Sequence, residues 1–242
     1  PMFIASLGGA GIAVGLIGGL GGSVASILNF FSGYWSDRLK NRKLFAFYGY
    51  LTSSIAKLLF PIVYNWVHLL VLRPIERIGK GLRTAPRDAI IANSTSQETI
   101  GKAFGIHRFA DTSGAFIGVV LAFVLYCVFK LDFKSILIVS AFVGFFALVP
   151  FLWIKEVDKQ QSQLQQKLTL KVSFKTLPVK FRNYLVVVAI FAFANFTYMF
   201  FILRAKDVFS FIFTERVATA IPILLYCWFN IIYALFTIPG GI

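Results

Sequence analysis

The sequence is poor in charge, above all in acid, and almost devoid of cysteine and histidine. Charged residues are 14% of its 242 positions, and Asp plus Glu together number only 10. A water-soluble domain carries about a quarter charged residues, so a soluble globular domain is excluded. The two cysteines, Cys127 and Cys227, both lie inside apolar runs. They offer neither a disulfide framework nor metal-ligand spacing, and no metal or cofactor is expected. No HExxH occurs, no Ser/His/Asp set is suggested, and His107 lacks the following Asp that an acyltransferase needs. The glycines at 8–9, 11, 15, 18–19 and 21–22 follow no strand and precede no Lys-Ser/Thr. They mark close helix packing rather than a phosphate loop. The opening residues carry no basic n-region and no cleavage site, so no signal peptide is expected.

What the chain has in abundance is apolar surface: 58% hydrophobic residues, 28 of them Phe, and a mean hydropathy of +0.78. These residues fall in blocks of roughly twenty, long enough to cross a hydrocarbon core. Backbone groups in lipid must bond within the chain, so the blocks are expected to be helices. Seven segments are predicted, over 11–35, 44–63, 66–92, 103–128, 135–154, 184–203 and 218–239. The fold class is therefore all-α, a polytopic membrane bundle. The net charge of +14 does not indicate nucleic acid, because the basic residues gather in connectors and on two unusual helices. With 36–43, 93–102 and the long connector 155–183 on the cytoplasmic side, roughly a dozen Lys and Arg lie inside and only a few outside. That connector, rich in Lys and Gln, divides a first bundle (1–154) from the start of a second (184–242).

Two features carry chemistry. The turn Gly33-Tyr34-Trp35-Ser36-Asp37-Arg38-Leu39-Lys40-Asn41-Arg42-Lys43 sets one acid among four bases. Asp37 is placed to meet a helix N-terminus or an arginine of another helix, and Gly33 allows close helix approach. An ordinary basic loop obeying topology would look similar. The second feature is VLRPIERIGKGLRTAPRD. At 100° per residue, Arg73, Glu76, Arg77, Lys80, Arg83 and Arg87 share an arc of roughly 120°. Arg77 falls near the bilayer centre, and each charge there costs at least ~2.5–3.5 kcal/mol, so the stripe must face a wet cavity or charge partners. Glu76 can pair with Arg73 or with Lys80. The stripe is thus either a substrate or ion path, or a network that locks helices together.

The next helix adds His107, Arg108 and Asp111. His107, Asp111, Gly114 and Gly118 share one face, and Gly114-x-x-x-Gly118 suits the close approach of another helix. A His107/Asp111 pair could relay protons; an Arg108–Asp111 pair with a hydrogen-bonded His107 fits equally. Lys57 sits in an otherwise apolar helix, where pairing or snorkelling both suit it. Asn195, Tyr198, Tyr226 and Asn230 are polar positions of the second part, and His68 is incidental.

Gly-x-x-x-Asp-Arg-x-x-x-Arg between two membrane helices resembles the cytoplasmic signature loop of the major facilitator superfamily. The resemblance spans the whole chain. It implies that the first helix here matches the family's second, with Pro1 to about Gly9 the tail of a first, and that the chain holds helices two to eight of about twelve. It implies a latch in which Asp37, Arg38 and Arg42 hold one access state and Gly33 packs closely; Asn41 and Lys43 depart from the usual pattern. Ile238-Pro239-Gly240-Gly241-Ile242 looks like the opening of the same motif. Arg73, Gly79 and Gly81 fit the family's fourth-helix pattern, with Glu76 where Gln is common. RIGKGLRTAPRDAIIA and AFGIHRFADTSGA resemble a bacterial and archaeal subgroup of efflux-type permeases. No Pro follows Gly118, and an acid near Gly18 and a base near Asn29, usual in that subgroup, are absent.

The implied function is secondary active transport of a small solute by alternating access, in a multi-pass protein of the inner (cell) membrane. Arg73, Glu76, Arg77, Lys80, His107, Arg108 and Asp111 would form the transport cavity and coupling groups. Gly79, Gly81, Gly114 and Gly118 would serve helix packing. The positive stripe points to an anionic or zwitterionic substrate, and Glu76, His107 and Asp111 make protons a second candidate partner. Membrane lipid, and no nucleic acid, completes the expected partners. Two alternatives are a partial chain that does not transport by itself and a membrane-embedded enzyme.

Overall fold

The computed structural model describes residues 1–39, 41–154, 177–194 and 197–237. Most of the 155–183 connector, Asn195 and the closing 238–242 stretch lie outside the described residues. Every regular element among the described residues is helical: α1 (Met2–Ser6), α2 (Gly11–Leu39), α3 (Arg42–Leu59), α4 (Trp66–Asn93), α5 (Ile100–Cys127), α6 (Phe133–Phe145), α7 (Val179–Ala194), α8 (Met199–Ser210) and α9 (Glu215–Thr237). Short 3₁₀ turns at Phe60–Ile62 and Phe146–Leu152 extend α3 and α6.

Polar side chains at the connectors set several helix starts. Asn65 Oδ1 accepts from Val67 N–H at 3.1 Å and opens α4. Asp132 Oδ1 accepts from the Ser135 N–H and hydroxyl and opens α6. Asn41, the departure from the family's loop, caps α3 through Leu44 N–H at 3.4 Å. Such side-chain acceptors satisfy amides that the first helical turn leaves unpaired. At the other ends, Gly8 takes the left-handed backbone (φ 80°) after α1. Lys130 does the same after α5 (φ 57°), with Leu131 N–H bonded back to the Leu125 carbonyl at 3.0 Å, a Schellman-type stop.

Among the described residues, five stretches are long and apolar enough to cross a membrane: Gly11–Leu39, Arg42–Ile62, Ile100–Cys127, Phe133–Leu152 and Glu215–Tyr233. Their outward residues are apolar, among them Ile12, Phe30, Ile117, Phe142 and Trp228, as a lipid-facing surface requires. The 28-residue α4 has the length to cross but is too charged to count among them. It is flanked instead, packed along α2 on one side and α3 on the other, with a third face left open. The expected segment 184–203 differs: α7 ends at Ala194 and α8 begins at Met199. Arg204, Lys206 and Asp207, expected in a connector, continue α8 to Ser210, because hydropathy reports apolar character and not helicity.

The chain forms two compact units, Pro1–Val157 with Met199–Ile242, and Asp158–Tyr198. The smaller contains α7. In the larger, α9 runs along α5, α6 lies on α3, and α8 touches α2 and α9. An apolar core at one end gathers Ile4, Val14, Ile17, Phe60, Val63 and Leu69, with Met199 and Leu203 of α8 against it. Phe200 lies over Gly15, at 3.1 Å from where a Cβ would stand.

Candidate functional site

The site is built on α4, whose three faces have different fates. One face meets α3 at small residues. A Cβ on Gly79 would collide with the Gly49 carbonyl and lie 2.7 Å from Ser53 N, and one on Gly49 would lie 2.7 Å from Arg83 Cβ. A second face meets α2. A Cβ on Gly81 would lie 2.7 Å from the Ala25 carbonyl and from Leu28 Cβ, and one on Gly33 would lie 3.3 Å from Ala85 Cβ. Backbone approach this close is available only to residues without side chains. Hydroxyls stitch the seams: Ser32 Oγ donates to the Gly81 carbonyl at 2.8 Å, and Ser53 Oγ to the Glu76 carbonyl at 2.9 Å.

The third face carries the charges. Glu76, with 7% of its side chain exposed, lies 3.1 Å from Arg73 Nη1 and 3.3 Å from Arg77 Nε, both contacts on Oε2. Of the two expected partners, Arg73 is thus realised, Arg77 is added, and Lys80 is not joined. Glu76 turns into the α3 seam, whereas Lys80, about 40° further round the helix, stands exposed. Gly21 of α2 leaves room for the two arginine stems: a Cβ there would lie 3.0 Å from Arg77 Cγ and 3.4 Å from Arg73 Cγ. Arg83 Nη1 donates to Ser53 Oγ at 3.0 Å, and its guanidinium lies 4.3 Å over the Tyr50 ring. Arg87 pairs with Asp88 at 3.0 Å and reaches Tyr50. Lys57 of α3 stands beside Gly144 of α6 and within electrostatic range of Glu76.

On α5, His107 is half-buried while Arg108 and Asp111 are exposed. Among the described residues they form neither a His107–Asp111 hydrogen bond nor an Arg108–Asp111 ion pair. Asp111 lies within electrostatic range of Lys80 and Arg83, and His107 of Arg87 and Asp88. The α5 charges therefore face those of α4. Nothing stands within 4 Å of a Cβ on Gly114 or Gly118. Within the described residues these two make no close helix crossing.

In the Asp37 turn the acid pairs inside its own loop. Arg42 Nε and Nη2 both reach Asp37 Oδ1, at 2.9 and 2.7 Å. Asp37 stands in the last turn of α2 and Arg42 opens α3, so the pair joins the two helices; the expected helix N-terminus is capped by Asn41 instead. Arg38 has no ion-pair partner among the described residues. At the bundle's opposite end, Arg216 of α9 donates to the Lys130 carbonyl at 3.2 Å and lies 5.5 Å over the Tyr126 ring. Lys134 lies 4.3 Å over the Tyr64 ring.

Sequence reasoning did not anticipate Gly49, Ser53, Tyr50 or Arg216. The first two had a signal, a pair of small residues four apart on one helix face. Arg216 had none, since its partners are a backbone carbonyl in the α5–α6 turn and a ring in the last turn of α5, both far away in sequence.

Apolar helices flanking one charged helix through small-residue seams make a polytopic membrane bundle. The model of the Major Facilitator Superfamily matches residues 1–242. An uncharacterised MFS-type transporter of Methanocaldococcus jannaschii is 43% identical over all of this chain and 60% of its own length. Uncharacterised proteins of Mycobacterium bovis and Mycobacterium tuberculosis are 27% identical over 74% of this chain and 42% of theirs. No solved structure matches. The chain belongs to the Major Facilitator Superfamily. It spans about three-fifths of the archaeal relative's length and two-fifths of the mycobacterial ones.

Proposed function

We propose that this chain is part of a secondary active transporter, a permease of the inner (cell) membrane that moves a small solute by alternating access. The carrying observation is the charged face of α4, left clear by the α2 and α3 seams of an apolar bundle and within electrostatic range of the charges of α5. Ionisable groups at membrane depth are costly and mark solute or ion paths. In this reading Arg73, Glu76, Arg77, Lys80, His107, Arg108 and Asp111 line the cavity, and the excess of cations selects an anionic solute. Residues 1–154 act as one bundle, 155–183 as a cytoplasmic connector, and 184–242 as the start of a second bundle. Asp37, Arg38 and Arg42 stabilise one access state from the connector side, while Arg216 ties α9 to the α5–α6 turn at the other end. Gly79 and Gly81 hold α4 in place, and Gly114 and Gly118 suit the approach of a further helix. Efflux is the direction suggested by the RIGKGLRTAPRDAIIA resemblance.

Protons are the proposed coupling ion, through Glu76, His107 and Asp111. The test is accumulation of labelled organic anions in proteoliposomes of this chain, alongside the longer M. jannaschii relative, under an imposed pH gradient. Gradient-driven movement that Glu76→Gln abolishes is expected. Movement by the relative that ignores the gradient sinks the coupling, and inactivity of both toward every solute sinks the transport reading.

A further inference from the structure

We infer that the free face of α4 binds a multivalent oxyanion, one whose two or more negative groups seat on successive rungs of the helix, with Lys80 as the central contact. This rests on the transporter reading and specifies the substrate class. The reasoning begins with the partner of each cation. Arg73 and Arg77 share the buried Glu76. Arg83 is committed to Ser53 and Tyr50, and Arg87 to Asp88. Lys80 is exposed and has no ion-pair or hydrogen-bond partner among the described residues; Asp111 acts on it only from a distance.

Charge balance sets the valence. The α4 environment holds Lys57, Arg73, Arg77, Lys80, Arg83 and Arg87 against Glu76, Asp88 and Asp111. A monovalent ligand would leave most of that excess unmet at membrane depth, where each uncompensated charge is costly. Spacing sets the shape. Arg77, Lys80, Thr84 and Arg87 follow one another at three- and four-residue steps on one face, so neighbouring rungs stand about one turn, ~5 Å, apart. Two separated oxyanion groups match that ladder better than one compact ion. Arg83 is a positioning residue here: it is turned away into the α3 seam, and through Ser53 it anchors the Glu76 turn of α4.

The same chemistry is offered by a soluble dicarboxylate or diphosphate and by an anionic lipid headgroup. The test uses the full 242-residue chain in phosphatidylcholine nanodiscs, titrated calorimetrically at constant ionic strength with acetate, sulfate, glutarate and pyrophosphate. Glutarate and pyrophosphate should bind, sulfate more weakly and acetate not at all. Lys80→Gln should weaken glutarate at least about tenfold, and Lys80→Arg should retain most of it. Lys102→Gln, which removes a charge from the start of α5, should change nothing. Far-ultraviolet circular dichroism checks that each variant remains helical. Competition by added cardiolipin, whose headgroup carries two phosphates, assigns the site to a headgroup, and its absence to a soluble ion. Equal binding of acetate and glutarate, an equal effect of Lys102→Gln, or no binding of any probe overturns the inference. Binding that persists without counterflow of glutarate in proteoliposomes removes only the transport reading. Transport of a neutral solute, with no anion bound, removes only the site.

Discussion

Glu76 answers two arginines with one nearly buried carboxylate oxygen, so deleting its charge exposes more than itself. Arg73 and Arg77 would then repel each other against the α2 seam. Breaking a buried ion pair by removing one partner costs about 3–5 kcal/mol, and the quarter-exposed arginines place this site at the lower end. Glu76→Gln should therefore lower the thermal midpoint in nanodiscs, and Glu76→Gln with Arg77→Gln should recover part of the loss. A double variant no more stable than the single one would contradict the shared-carboxylate picture. Asp132 is a simpler case, outside the membrane spans. The Ser135 hydroxyl and backbone N–H hold its carboxyl below the ordinary 3.8. A depressed carboxylate stabilises the fold above its unfolded pKa and loses that contribution as pH falls through the folded one. Asp132→Ala should thus cost about 1 kcal/mol or less at neutral pH. The difference from the parent should shrink as pH falls through the depressed folded-state pKa, as followed by thermal melts across pH.

At the scale of elements, α4 is placed by glycine and serine more than by its charges. Gly79 and Gly81 each leave less than 3 Å for a Cβ against backbone of a neighbouring helix. Gly79→Ala must push α3 away at Gly49 and Ser53, with a cost typical of overpacking, about 1–3 kcal/mol. Gly105→Ala, at a position with nothing within 4 Å, should be neutral or slightly stabilising through helix propensity. Equal melts for the two variants would mean that the seam is not tightly packed. This level of organisation was partly legible in the sequence. Block length announced the helices, and the spacing of charges announced one face of α4 turned from lipid. Gly79 and Gly81 stood out, but which helix each would meet depends on rotation about α4, which one sequence does not state. The pairing of Asp37 with Arg42 was hidden for a related reason. It depends on how tightly the turn closes, and the Asn41 cap closes it within five residues. The division of the expected 184–203 helix into α7 and α8 left no mark in hydropathy, since the apolar run crosses the break.

For the whole molecule, the proposed alternation of access puts the Asp37 turn and the Tyr64–Lys134 end on opposite sides of the membrane, with α9 tied to the latter by Arg216. Both statements can be tested on one set of single-cysteine variants made after replacing Cys127 and Cys227 with alanine. Ser94→Cys, at the Asp37 end of α4, and Tyr64→Cys should react with an impermeant maleimide from opposite faces of oriented vesicles. Thr84→Cys, on the charged face, should react from the Ser94 side. Arg216 contributes one hydrogen bond to a carbonyl and one ring contact, together on the order of 1–1.5 kcal/mol. An interaction of that size, if made in one access state and lost in the other, shifts their ratio about five- to thirteenfold. Arg216→Ala should therefore raise the rate at which Thr84→Cys reacts from the Tyr64 side by that factor, leaving Ser94→Cys and Tyr64→Cys unchanged. Reaction of Ser94→Cys and Tyr64→Cys from the same face would sink the topology. Unchanged labelling of Thr84→Cys in the Arg216→Ala background would reduce the contact to a structural tie between α9 and the α5–α6 turn.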